Sequence, residues 1–110
     1  MLNFPREKRL IKKSEFEDVF NKGKKIASQH FIFFYYKNNL TYARLGLAIS
    51  KKKIPLANDR NRIKRLIRET FRCHVLTNLD IVVIARQQIN TENSILINQL
   101  GKVWDSLMLA

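Results

Sequence analysis

Cysteine, glycine and acid are all scarce in this sequence, and each scarcity closes off a class of explanation. A single cysteine, Cys73, excludes an intrachain disulfide framework and tilts the reading towards an intracellular chain. Three glycines leave no Gly-rich loop to cradle a nucleotide phosphate. The nine acids (Glu7, Glu15, Glu17, Asp18, Asp59, Glu69, Asp80, Glu92 and Asp105) are scattered, without the paired carboxylates of acid–base catalysis. His30 and His74 have no partner at ligand spacing, and Cys73-His74 is too short for a zinc site, so each histidine reads as structural or solvent-facing. No apolar run approaches the ~20 residues that span a bilayer. The basic stretch Met1 to Lys13 lacks the apolar segment that would make it a signal peptide. There is neither an internal repeat nor a low-complexity segment. The expectation is a soluble, cytoplasmic polypeptide that does no bond chemistry of its own.

What remains is positive charge on a globular chain. Lysine and arginine number 21 against 9 acids, a net charge of +12. Hydrophobic residues make up 45% of the 110, enough for a core rather than a disordered basic tail. One domain, residues 1–110, accounts for the length. Uncompensated charge destabilises a small globule, and a polyanion or an anionic membrane surface would relieve it.

Ser14-Glu15-Phe16-Glu17 fits a capping box, and Phe16, Val19 and Phe20 follow at helical spacing, which predicts a helix over 14–22 stopped by Gly23. Residues 29–37 are aromatic and apolar, a strand; Asn38-Asn39 offers a turn. Residues 42–50 alternate, with Ala43, Leu45, Leu47 and Ile49 on one face, and with the preceding strand they suggest a hairpin. From Asn58 or Asp59 a second helix begins, striped by Ile63, Leu66, Ile67, Thr70 and Phe71. Residues 80–86 form a β-branched run suited to a central strand, and Leu96, Leu100, Val103, Trp104 and Leu107 mark a last helix. The order is α-β-β-α-β-α, an α+β fold.

The helix at 58–73 carries the functional signal. Arg60, Lys64, Arg68 and Arg72 recur every four residues, Asn61 and Arg65 sit between them, and Arg62 lies at the edge. The apolar stripe beside them is needed for the core, so the helix does not have the form of one lying on lipid. A solvated face would explain a basic helix, but Glu69 is the only acid beyond the cap. Arg60 and Arg62 also occupy the first turn, where cations oppose the helix dipole. Phosphate would satisfy both the arginines and the N-terminal N–H groups. Phe16 and Phe20 are most simply core. In the aromatic strand Phe31, Phe33 and Tyr35 share one face and Ile32, Phe34 and Tyr36 the other; either, left uncovered, could stack on unpaired bases.

The run Ala57-Asn58-Asp59-Arg60-Asn61-Arg62-Ile63-Lys64-Arg65-Leu66-Ile67-Arg68-Glu69 resembles the signature of the protein subunit of bacterial ribonuclease P. Phe4-Pro5 with Arg9-Leu10, Leu45-Gly46-Leu47 leading to Ser50-Lys51-Lys52, and Asp80 to Arg86 extend the likeness over about residues 4–107. The resemblance implies a four-stranded central sheet, hence one further strand near 26–30 or after 86, and a left-handed β-α-β crossover. It implies an accessory protein of an endoribonuclease that removes the 5′ leader from precursor tRNA, with the catalytic RNA subunit doing the chemistry through magnesium and no cofactor held by the protein. It further implies RNA contacts at Arg60, Asn61, Arg62, Lys64, Arg65 and Arg68, and a leader cleft of Phe16, Phe20 and Phe34 flanked by Lys52 and Lys53. A structural RNA-binding protein, such as a ribosomal protein, would share the charge without the cleft; a protein-only nuclease would need the carboxylate cluster that is missing.

Overall fold

The computed structural model describes residues 6–108; the Phe4-Pro5 pair lies outside them. A short 3-10 turn (Arg6–Lys8) leads into α1 (Lys13–Lys22), β1 (Lys24–Ala27), β2 (Phe31–Lys37), β3 (Arg44–Ala48), α2 (Ala57–Arg72), β4 (Leu79–Ala85) and α3 (Asn93–Met108). The added strand is β1, beginning two residues before the earlier of the two expected places. None of these helices is long and apolar enough to cross a membrane.

The strands form one mixed sheet in the order β1-β2-β4-β3. β1 and β4 both run antiparallel to β2, while β3 and β4 are parallel. The expected hairpin between the second and third strands is therefore not made: β4 lies between them. The reason is burial. Ile81, Val82 and Val83 are fully buried, so β4 covers both its faces and pairs both its backbone edges only from an interior position. Asn38, expected to turn the hairpin, instead donates its backbone N–H to Asn78 O (2.9 Å) at the approach to β4. The hairpin that does form joins β1 to β2, and α2 becomes the crossover between the parallel neighbours β3 and β4.

Both long helices pack on one face of the sheet. The stripe Ile63, Leu66, Ile67, Thr70 and Phe71 of α2 is buried as expected, as are Leu96, Leu100, Val103, Trp104 and Leu107 of α3. Trp104 stands edge-on to Phe33 and Phe71, each 5.5 Å between ring centroids. Its indole N–H donates to Thr70 Oγ1 (2.9 Å), whose own O–H donates to Leu66 O (2.8 Å). Buried His30 is bonded at both ring nitrogens, to Gln99 Oε1 and Thr91 Oγ1 (each 2.9 Å), tying the start of β2 to α3.

The opposite face is covered by α1 and the segment before it, with Leu10, Val19 and Val82 at the centre. α1 starts at Lys13 rather than Ser14, and the Ser14–Glu17 box does not form. Glu15 is the capping residue: its Oε1 accepts the N–H groups of Lys12 (2.9 Å) and Ile11 (3.0 Å). Gly23 ends the helix for want of room, because a Cβ there would stand 2.4 Å from Val19 O and 2.7 Å from Tyr35 O. α2 also begins early, at Ala57: its N-cap is Leu56, two or three residues before the expected Asn58 or Asp59, and it makes no side-chain bond. Asn58 and Asp59 thus fall inside the first turn instead of capping it, where the carboxylate of Asp59 still suits the dipole.

Candidate nucleic-acid interface

The amphipathic pattern of α2 fixes which way its charges point. With the apolar stripe against the sheet, Asn61, Arg65 and Arg68 are exposed and Arg60, Arg62 and Lys64 partly so. Arg60 Nη1 donates to the carbonyls of Ile54 (3.0 Å) and Pro55 (2.8 Å). Arg62 Nη1 reaches Asn93 Oδ1 (2.5 Å) and Thr91 O (3.4 Å) at the start of α3. With the helix starting at Ala57, Arg60 ends the first turn and Arg62, expected there too, lies in the second; the neutral acceptors hold both side chains and leave their charges unneutralised. Among the described residues none of Arg60, Arg62, Lys64, Arg65 and Arg68 lies within an ion pair.

The other face of the sheet supplies aromatic and apolar surface. Cross-strand register lines up three rows beneath and beside α1: Tyr36-Asp80-Arg44, then Lys25-Phe34-Val82-Gly46, then Ala27-Ile32-Ile84-Ala48. α1 lies over the middle row. Phe16 sits on Gly46, where a Cβ would come within 2.8 Å of its ring, and Phe20 meets Phe34 edge-on at 4.9 Å. Phe20 keeps 39% of its surface exposed, so it is not the core residue that its spacing suggested. The third row is only half covered, which identifies Ile32, Phe34 and Tyr36 as the open side of the aromatic strand.

A cleft of about 230 Å³ joins the two surfaces. Phe16 and Leu45 form part of its wall, and Arg9, Lys64 and Arg68 bring charge to it. The N-terminal segment makes its edge, through Leu10 N–H to Leu45 O (3.0 Å) and a parallel bridge of Arg9 with Leu45. Burial, together with the nearby charge of Arg9, holds the Arg68 guanidinium below its ordinary range. Like charges so gathered favour an anion between them. Arg9 entered the sequence analysis only with Leu10, as part of the likeness, and not among the expected RNA contacts. Lys52 and Lys53 are exposed on the turn leading to α2, outside the residues lining this cleft.

A second set that sequence reasoning missed is Arg44, Asp80 and Glu15. Arg44 grips buried Asp80 with two bonds, Nε to Oδ1 (2.9 Å) and Nη2 to Oδ2 (2.6 Å), and its Nη1 reaches Glu15 Oε2 (2.8 Å). The hydrogen bond with Asp80 raises the Arg44 guanidinium above its ordinary value despite burial. Burial alone would raise Glu15, but the N–H groups of Lys12 and Ile11 and the charge of Arg44 outweigh it and hold the carboxyl below 4.5. A carboxyl so lowered binds fewer protons folded than unfolded. Its contribution to stability is complete above 4.5 and is lost as pH falls through the lowered value. Among the described residues no three of His, Cys, Asp and Glu come together to hold a metal ion.

Comparison with known proteins matches residues 4–108 to the family described as Ribonuclease P. The ribonuclease P protein component of Legionella pneumophila (strain Lens) is 48% identical over 108 residues, 97% of this chain and 95% of that one. A Vibrio cholerae component is 43% identical, covering 94% and 91%. Among solved structures, a Staphylococcus aureus RNase P protein mutant with defective mRNA degradation activity superposes with a TM-score of 0.85 at 33% identity, over 92% of this chain and 88% of that one. The Thermotoga maritima RNase P protein gives 0.78 at 27%, over 93% and 96%. Fold and cationic face together define the class: the small protein partner of an RNA in a ribonucleoprotein. More narrowly, the chain belongs to the ribonuclease P protein family, the accessory subunits of an endoribonuclease that processes precursor tRNA.

Proposed function

We propose that the chain binds the single-stranded 5′ leader of precursor tRNA between α1 and the sheet, and docks the outer side of α2 on the catalytic RNA in the cytoplasm. Phe20, Phe34 and the half-covered third row offer stacking surface, while Lys64 and Arg68 meet phosphates in the cleft beside Phe16. Arg60, Asn61, Arg62 and Arg65 face the second RNA, and Lys52 and Lys53 extend the charge towards the leader. Phosphate contacts of this kind raise affinity without choosing a sequence. Magnesium held by the catalytic RNA supplies the hydrolytic chemistry; the chain contributes charge and shape.

The observation that carries this reading is that, among the described residues, Arg60, Arg62, Lys64, Arg65 and Arg68 make no ion pair with an acid. Reconstitution with a catalytic RNA at low magnesium tests it. Leader removal should depend on the chain, and affinity for a leader-bearing precursor should exceed that for a leaderless one. With about 5 phosphates neutralised, single-stranded binding should weaken with salt at a log–log slope of roughly −3.5. A slope near zero would remove the electrostatic account.

A further inference from the structure

α1 is the least anchored helix of the fold. Only Val19 among its residues is buried, whereas α2 and α3 bury five each. Yet α1 carries Phe16 and Phe20, whose height above the sheet sets the width of the groove. Apolar contact through Val19 and the half-buried Phe16 is non-directional and does little to fix the roll of the helix about its axis.

Directional contacts come from one ion-pair network. Asp80 is 6% exposed and is further fixed by a bond from Asn38 Nδ2 (2.8 Å). Arg44 is held on it as a planar fork, a geometry that a lysine cannot reproduce. The remaining nitrogen of that fork extends to Glu15, the residue next to Phe16 and the cap of α1. The chain of bonds therefore runs from the sheet, through Arg44, to the end of the helix that bears the aromatics.

Building on the leader groove proposed above, we propose that Arg44 is a positioning residue for it: by bridging Asp80 and Glu15, it sets the tilt at which α1 holds Phe16 and Phe20 over the sheet. It touches no RNA in this role. Its charge is spent on two carboxylates, which separates it from the α2 cations.

The test uses the chain assembled with catalytic RNA and compares precursors bearing a long leader and a one-nucleotide leader. In Arg44→Lys the ratio of the two affinities should fall by about tenfold, as misplacement of a binding surface does. Glu15→Gln, which keeps an oxygen for the cap but loses the charge, should lower the ratio by less. In the free variants, the nuclear Overhauser contact between the rings of Phe20 and Phe34 should weaken in the same order. Variants that melt earlier but keep both the wild-type ratio and the ring contact would overturn the proposal, since Arg44 would then only stabilise. If the wild-type chain shows no leader preference, the groove reading fails instead. The ring contact then decides alone: its loss supports positioning by Arg44 and its retention refutes it.

Discussion

α2 and α3 are each sixteen residues long, and each buries five side chains on the same face of the sheet. Their outward sides differ. α2 presents Arg60, Arg62, Lys64, Arg65 and Arg68, whereas the only charged residues of α3 are Lys102 and Asp105, and its Ile95, Ile97 and Met108 are largely exposed. The inward sides answer to packing and are alike in kind. The charge on α2 therefore owes nothing to the core, and only Arg60 of these cations falls in the first turn, where it opposes the helix dipole. One helix does the same structural work with a single cation, Lys102. The other keeps them for a purpose outside the fold.

The largest effect should come from the side the two helices share. Trp104→Ala removes the indole between Phe33 and Phe71 and the hydrogen bond it donates to Thr70, so it should destabilise the fold by about 3–5 kcal/mol in denaturant titrations. A loss below about 1 kcal/mol would mean that the helix–helix seam is loosely packed. On the outward side, replacing Lys64, Arg65 and Arg68 together by alanine should leave stability within about 0.5 kcal/mol per site. The same variant should flatten the single-strand salt slope by about 2. Lys102→Ala on α3 should leave that slope unchanged; an equal effect from both would dissolve the contrast. The smallest change concerns α3 alone. Nothing lies within 4 Å of a Cβ built on Gly101, so Gly101→Ala should raise stability by about 0.5–1 kcal/mol through helix propensity, without altering RNA affinity.

The stripes of α2 and α3 were legible because a period of 3.6 is a local pattern, and every predicted stripe residue is buried. The hairpin was misread for the converse reason. Two strands joined by Asn38-Asn39 look like neighbours, but the claim of β4 on the place between them depends on a segment some forty residues further on. The start of α1 was off by one residue because Glu15 had two backbone donors and an arginine from the sheet within reach. The cations of α2 could be read from spacing, since they share one helix. The Arg44 network could not, because its three members come from different elements and only folding brings them into contact. Which side of the aromatic strand stays open was equally hidden: it depends on how little surface α1 covers.

The place of β4 inside the sheet also bears on how the molecule is made. As synthesis proceeds from the N-terminus, β1 and β2 can pair at once, but β3 emerges with no strand beside it. Its pairing partner along that edge is completed only when Ala85 has left the ribosome, by which time the whole of α2 has already emerged. A nascent chain halted before β4 would therefore carry its polycationic helix with no finished sheet to dock on. The sheet cannot be completed before β4 is available, and it closes by insertion between β2 and β3 rather than by growth at an edge.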